Sequence, residues 1–231
     1  MYAMSNEQSS FEGVLRSAAR LQEAIPHLVL VGGSAAALHA DHGESVDHDH
    51  VMTDLADRYD SVLEAVEATD GWATSVRASK PPATLLGSLD GVPGGIRQLR
   101  RSKPLDVEEW TLSTGESLRV PTIYEILRIK AYLTIDRRAV RDFLDVVALA
   151  DRIGPSRAVD VLADIDEYYA VRSDEEGGVL HEVVLALAHP APVDPDVIQE
   201  LPRYKGLDAR WHDWATVVAH CEELSRALAR R

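Results

Sequence analysis

The sequence has very little that could cross-link the chain or anchor it in a membrane. Cys221 is the only cysteine among 231 residues, which excludes an internal disulfide and a zinc cluster held by thiolates. No apolar run approaches the roughly 20 residues that span a bilayer, and the amino terminus lacks a basic segment followed by an apolar one. We therefore expect a cytoplasmic protein that is neither secreted nor embedded in a membrane.

Positive charge is also scarce. Lys and Arg number 24 against 38 for Asp and Glu, and the formal net charge of −14 disfavours general binding to polyanions. Basic residues nevertheless outnumber acidic ones between Arg97 and Arg141, so one local basic surface is compatible with an acidic body. Within that region Arg97, Arg100, Arg101 and Lys103 suit either an RNA backbone or a solvated face.

The pattern of predicted secondary structure changes at Pro121. Short strand candidates punctuated by Pro and Gly precede it at residues 74–76, 84–89 and 96–99, and a hairpin is predicted at residues 107–112 and 118–120. Nearly every segment after Thr122 has the periodicity of an amphipathic helix, including residues 155–169 and 211–229. Trp211 and Trp214 have helical spacing and are expected in the core. The sequence therefore predicts an α+β protein, with a sheet-containing domain at residues 1–121 and a helical domain at residues 122–231.

A glycine-rich turn is the first part of the strongest chemical signal. A short apolar run at residues 27–31 ends in Gly32-Gly33-Ser34, and the Ala-rich residues that follow are typical of a helix. Such a turn presents backbone N–H groups, a hydroxyl and the positive end of a helix to an anion such as a triphosphate.

Two aspartates supply the second part. Asp47 and Asp49 alternate along a predicted strand at residues 45–52, so their carboxylates should project to the same side. Together they offer hard oxygen ligands to a cation that also holds phosphate oxygens.

Four histidines near the aspartates raise the alternatives of a zinc site or a metal-dependent phosphohydrolase. His48 and His50 fall on the opposite face of the predicted strand from the aspartates, and no sulfur ligand is near. A phosphohydrolase would require His39 or His42 to face the aspartates instead.

These motifs resemble the nucleotidyltransferase fold of the polymerase-beta type. Its pattern of an apolar residue, Gly, Gly or Ser, and later Asp-apolar-Asp reads here as Val31-Gly32-Gly33-Ser34 and Asp47-His48-Asp49. Within that superfamily the chain is most similar to the AbiEii-type nucleotidyltransferase toxins, including the MenT-type enzymes that add nucleotides to the 3′ end of transfer RNA. Their downstream Lys-Ala and Arg-Asp-apolar-x-Asp motifs correspond to Lys130-Ala131 and Arg141-Asp142-Phe143-Leu144-Asp145.

The resemblance implies a mixed-sheet nucleotidyltransferase domain, a following helical bundle and a dependence on Mg²⁺ or Mn²⁺. It implies that Asp47 and Asp49 hold the metal, that Gly33 and Ser34 grip the triphosphate, and that Lys130 binds a phosphate. The implied catalytic residues are Asp47, Asp49, Lys130 and Asp145. Asp142 and Asp106 are alternatives to Asp145 as the third acidic residue. A structural alternative is that Lys130 is a solvated residue on a helix flank and that Asp142 and Asp145 form salt bridges with Arg138 and Arg141.

The resemblance favours ATP or another nucleoside triphosphate as substrate, transfer RNA as acceptor, and a toxin role with a cognate antitoxin protein as partner. The acidic composition is equally compatible with a small cationic acceptor such as an aminoglycoside. A third reading is an inactive nucleotide-binding module, because the family commonly has an Arg at the position of Gly43.

Overall fold

The computed structural model describes residues 11–40, 42–101, 103–169 and 178–231. They form two compact units. The first contains the described residues within 1–35, 45–100 and 106–122, and the second contains those within 36–44, 101–105 and 123–231. The domain boundary expected after Pro121 stays a prediction, because compactness does not show that either unit folds independently.

A five-stranded mixed sheet organises the first unit. Its strand order is β1-β2-β5-β4-β3, in which β2 and β5 are parallel and the other neighbours are antiparallel. This arrangement confirms the predicted α+β class with a mixed sheet. The strands are β1 (Val29–Val31), β2 (His48–Met52), β3 (Trp72–Thr74), β4 (Thr84–Leu89) and β5 (Val92–Gln98).

Helices and a hairpin complete this unit. Helix α2 (Gly32–Ala40) follows β1 directly, and its first residues belong to the first unit. Strands β6 (Val107–Thr111) and β7 (Ser117–Pro121) form the predicted hairpin. Helices α1 (Phe11–Ala24) and α3 (Leu55–Glu67) share a buried apolar cluster with the sheet. Its buried members are Leu21, Ile25, Leu28, Met52, Leu55, Tyr59, Val62, Val66, Leu85, Leu89 and Ile96.

Strand β2 begins later than the sequence predicts. The ladder with β1 ends where Val31 pairs with Asp49, and the ladder with β5 ends where Gly94 pairs with His48. The carbonyl of Asp47 accepts a hydrogen bond from the Ser34 hydroxyl at 2.6 Å instead of joining a ladder. The predicted strand at residues 45–52 is therefore wrong at its start, and Asp47 lies in the bend before β2.

The second unit is helical, as predicted. Helices α4 and α5 pack against each other, and α9 contacts α5, α6 and α8. The α-helices are α4 (Ile123–Asp136), α5 (Val140–Ile153), α6 (Pro155–Ala163), α7 (Ile165–Tyr168), α8 (Gly178–Ala188) and α9 (Trp214–Leu228), with 3₁₀ helices at Pro195–Arg203 and Ala209–Trp211.

Two helix predictions in this unit need correction. The single helix predicted at residues 155–169 is interrupted at Asp164, which has φ −95° and ψ 10° and separates α6 from α7. The helix predicted from Trp211 begins at Trp214, because the Asp213 carboxylate caps it by accepting from the backbone N–H of Ala215 at 3.0 Å. Trp211 is 1% exposed, which confirms its predicted place in the core.

Across the described residues, the helices are too short or too polar for any of them to cross a bilayer.

Two buried histidines line the inner face of β2. His48 and His50 are both 0% exposed, and Ser17 Oγ on α1 lies 3.0 Å from His48 Nε2. Burial lowers the pKa of His48 to about 4, although the neighbouring Asp47 carboxylate acts in the opposite direction. Burial and the nearby His48 and Arg119 also lower the pKa of His50 well below its ordinary value. Both imidazoles are therefore neutral at neutral pH.

We expect the free energy of unfolding to fall as the pH drops from 6.5 towards about 4. In that interval the unfolded His48 takes up a proton that the folded protein excludes, so acid favours the unfolded state. The full effect of His48 alone is of the order of 3 kcal/mol. Urea unfolding across this interval measures it.

The matched control is a second histidine in the same unit. His48→Asn should flatten the pH dependence, whereas His27→Asn should leave it unchanged, because His27 is exposed. His27 has φ 79°, a left-handed conformation that Asn tolerates. Equal pH dependence in the native chain and the His48→Asn variant would contradict the assignment of this pH dependence to His48.

Candidate nucleotide and metal site

The turn between β1 and α2 brings the backbone against Asp49. Val31 pairs with Asp49 across the two strands, and α2 begins at the next residue, Gly32. Gly32 has φ 73°, and a Cβ placed on it would lie 3.3 Å from Cβ and 3.4 Å from Oδ2 of Asp49. Glycine is favoured here both by the left-handed backbone and by this close approach. Gly33 follows in the first turn of α2 and is outside the left-handed region.

Ser34 ties the start of α2 to the aspartate segment. Its side chain is buried, and its hydroxyl donates to the carbonyl oxygen of Asp47 at 2.6 Å. In this structure the hydroxyl hydrogen is used in a hydrogen bond within the protein. The donors that the turn offers to an anion are then the backbone N–H groups of the first turn of α2.

The two aspartates differ in their surroundings. Asp47 is exposed, and the Ser45 hydroxyl donates to its Oδ1 at 2.7 Å. The Asp49 side chain is 32% exposed and its Oδ1 lies 3.5 Å from Nε of Arg97. Both carboxylates therefore remain partly accessible to solvent.

Two adjacent glycines in β5 make room for the side chains of β2. A Cβ on Gly95 would lie 3.0 Å from Oδ1 of Asp49, and a Cβ on Gly94 would lie 2.4 Å from the His48 ring. The strand predicted from the sequence begins at Ile96, whereas β5 begins at Val92, so the role of these two glycines is not predicted. A Gly-Gly pair inside a strand is itself a signal of close approach by a neighbouring group.

Three of the four basic residues between Arg97 and Lys103 pair with carboxylates. Arg97 contacts Asp49, Arg101 forms a buried ion pair with Glu125, and Lys103 pairs with Glu167. The Arg101 side chain is 1% exposed, so its predicted contact with an RNA backbone is wrong in this conformation.

Lys130 and Asp145 meet in the second unit. Lys130 on α4 forms an ion pair with Oδ2 of Asp145 on α5, and His42 Nε2 donates to Oδ1 of Asp145 at 2.6 Å. None of these three residues is more than 5% exposed. Burial acts to raise the pKa of Asp145, but the Lys130 ammonium and the His42 hydrogen bond outweigh it and hold that pKa well below its usual range. Asp145 is therefore ionised.

These contacts correct two alternative readings of the motif. Lys130 is not a solvated residue on a helix flank, because it is 1% exposed. Asp142 is buried and bound by Arg137, with Nε 2.9 Å from Oδ2, and it also accepts from the backbone N–H of Ala139 at the start of α5. Asp142 thus caps a helix.

The segment before β2 contains Gly43, where the resembling toxins commonly have Arg. Gly43 has φ 132°, a backbone conformation that favours glycine over any residue with a Cβ. The next residue, Glu44, donates its backbone N–H to the carbonyl of Lys205 at 2.8 Å within the second unit. His42 precedes Gly43 in the same unit and contacts Asp145 there. Asp106, the other alternative acid, is exposed just before β6.

The donor set of the first unit fits a hard cation bound together with phosphate. Mg²⁺ prefers oxygen ligands and is typically held by one or two carboxylates plus substrate phosphates and water. Asp47 and Asp49 supply the carboxylates, and Gly95 places no side chain beside Asp49. Within the described ranges, no group of three or more His, Cys, Asp or Glu side chains is placed to hold a metal.

Similarity to known sequences is local. No family model matches the chain. It is 33% identical over 130 residues to the mycolic acid-containing lipids exporter MmpL11 of Mycolicibacterium smegmatis, a match covering 56% of this chain and 13% of the exporter. It is 36% identical over 95 residues to the heme uptake protein MmpL11 of Mycobacterium tuberculosis, covering 41% of this chain and 10% of that protein. The chain thus matches a small fraction of these relatives.

Similarity to solved structures extends over nearly the whole chain. JHP933 from Helicobacter pylori aligns with a TM-score of 0.51 and 14% identity, covering 99% of this chain and 96% of that one. The nucleotidyltransferase toxin MenT4 of Mycobacterium tuberculosis aligns with a TM-score of 0.50 and 19% identity, covering 95% and 91%. At these identities the likeness shows the fold alone, and it confirms the predicted nucleotidyltransferase fold.

We expect Asp145→Asn to lower the free energy of unfolding by about 3 to 5 kcal/mol, because it leaves the Lys130 ammonium buried without its counter-charge. Asp151→Asn on the same helix should cost less than about 1 kcal/mol, since Asp151 is 37% exposed. Urea unfolding at neutral pH measures both.

A double variant separates the buried charge from general damage to the core. Lys130→Met combined with Asp145→Leu removes both charges at once, and it should recover most of the stability that Asp145→Asn loses. Equal stability of the Asp145→Asn and Asp151→Asn variants would show that the buried pair does not act as described.

Proposed function

We propose that this chain, which has the nucleotidyltransferase fold, moves a nucleoside monophosphate from a nucleoside triphosphate to an acceptor hydroxyl with the help of Mg²⁺ or Mn²⁺. The observation that carries the proposal is the close approach of the Gly32 backbone to Asp49. It sets a helix N-terminus, which attracts anions, beside a carboxylate, which attracts cations.

In this proposal the first unit binds the substrate. The backbone N–H groups of Gly33 and Ser34 would contact the triphosphate, since the Ser34 hydroxyl donates to Asp47. Asp47 and Asp49 would hold the cation, which neutralises phosphate charge when bound. The acceptor hydroxyl would attack the α-phosphorus in line and lose its proton to water. Its oxygen would form the new P–O bond as the bond between the α-phosphorus and the leaving pyrophosphate breaks.

Lys130 and Asp145 would act through charge. The lowered pKa of Asp145 makes this carboxylate a weak base, so a proton-accepting role is disfavoured. Its ion pair and its hydrogen bond from His42 instead fix the position of the Lys130 ammonium. We assign Asp145 to the positioning of Lys130, and the phosphate-binding role that the resemblance implies for Lys130 stays a prediction.

We further propose that the acceptor is the 3′ end of transfer RNA and that the chain acts in the cytoplasm as a toxin with a cognate antitoxin protein. The resemblance of its motifs to the AbiEii and MenT-type enzymes supports this acceptor, and so does the fold that it shares with MenT4. A small cationic acceptor is the second candidate. It is favoured by the net charge of −14 and by the pairing of Arg97, Arg101 and Lys103 with carboxylates.

The test is incubation of the purified chain with Mg²⁺, each of the four α-labelled nucleoside triphosphates and total transfer RNA. We expect label on RNA with the native chain, and a loss of at least about a hundredfold with Asp49→Asn, which removes a charge needed in the transition state. The exposed Asp60→Asn on α3 is the matched control and should retain full activity.

The melting temperatures of both variants should stay close to that of the native chain, because Asp49 and Asp60 are not buried. A large loss of stability in Asp49→Asn would mark Asp49 as structural. Transfer of label to an aminoglycoside but not to RNA would support the second candidate. Absence of transfer to either class of acceptor would support the inactive module.

A further inference from the structure

Arg97 is placed to control the charge of Asp49. Its Nε lies 3.5 Å from Oδ1 of Asp49, and the two side chains are 48% and 32% exposed. A pair so accessible to water contributes little to stability, typically about 0 to 1 kcal/mol. The ion pair can therefore open and exchange partners at small cost.

The register of the sheet accounts for this contact. In the parallel β2–β5 ladder Asp49 pairs with Gly95, and Arg97 lies two residues further along β5. Residues two apart project to the same face of a sheet, so Arg97 is the diagonal neighbour of Asp49. Gly95 has no side chain between them. Arg97 is also the only charged residue of β5, so this strand places a positive charge and no carboxylate beside Asp49.

The two oxygens of Asp49 have different neighbours. Oδ1 contacts Arg97, whereas Oδ2 faces the turn at Gly32, where an added Cβ would be 3.4 Å away. An anion bound at the start of α2 would thus lie on one side of the carboxylate, with the guanidinium on the other. A half-exposed arginine has the reach and the donors to leave a carboxylate for a phosphate.

We propose that Arg97 makes cation binding at Asp49 depend on a bound polyphosphate. Without polyphosphate, the guanidinium neutralises Asp49 and disfavours a divalent cation there. When a polyphosphate binds, Arg97 pairs with it and releases Asp49 to the metal. The inference rests on the proposed metal site, and it adds a positioning residue that also couples the two ligands.

The proposal predicts effects of opposite sign from one substitution. Arg97→Gln removes the competitor of the metal, so Mn²⁺ alone should bind about fivefold more tightly. The same substitution removes a phosphate ligand, so inorganic tripolyphosphate alone should bind about fivefold more weakly. Distortion of the fold would weaken both, so it cannot mimic this result.

The experiment measures Mn²⁺ binding by electron paramagnetic resonance and tripolyphosphate binding by calorimetry, each in the absence of the other ligand. The native chain is compared with Arg97→Gln, with Asp49→Asn, and with Arg100→Gln as the control. Arg100 is an exposed arginine just beyond β5 in the same unit, and its substitution should change neither affinity.

The outcomes separate this inference from the proposed function. Loss of Mn²⁺ binding in Asp49→Asn with no gain in Arg97→Gln overturns the inference and leaves the metal site standing. Mn²⁺ affinity that is unchanged in Asp49→Asn, or undetectable in every variant, overturns the metal site and the inference together. A gain in Mn²⁺ affinity without a loss in tripolyphosphate affinity also overturns the coupling.

Discussion

The site in the first unit depends on one close approach between backbone and side chain. Gly32 can lie against Asp49 because it has no Cβ and adopts a left-handed backbone, and the pairing of Val31 with Asp49 sets the position of both. Gly95 on β5 also lacks a Cβ and also lies beside Asp49. Asp49 is thus approached from two sides by residues that have no side chain.

The two acidic residues with proposed charge roles are held in contrasting ways. Asp145 is enclosed with Lys130 and His42, and separating these groups would leave a charge without solvent or partner. Asp49 meets its arginine near the surface, where water compensates each charge when the contact opens. The first arrangement gives a fixed geometry, and the second gives a carboxylate whose partner can change.

The sequence was sufficient for the α+β fold class, because that class follows from periodicity and from turn chemistry, whereas the roles of the site residues stay predictions. It was insufficient where tertiary contacts decide. The alternating pattern around Asp47 predicted a strand. In the structure the Ser34 hydroxyl donates to the carbonyl of Asp47, and neither β1 nor β5 pairs with that residue. The partners of Asp145 lie 15 and 103 residues away along the chain, at Lys130 and His42, and no local spacing indicates the second of these contacts.

Strand β2 alternates two neutral imidazoles with a carboxylate, and this alternation restricts how the strand can pair. A shift of one residue in either direction would carry Asp49 into the apolar interior and bring His48 and His50 to the solvated face. Burying an unpaired carboxylate costs several kcal/mol, so misregistered sheets are strongly disfavoured. The residues that give the strand its chemistry thereby also enforce its alignment during folding.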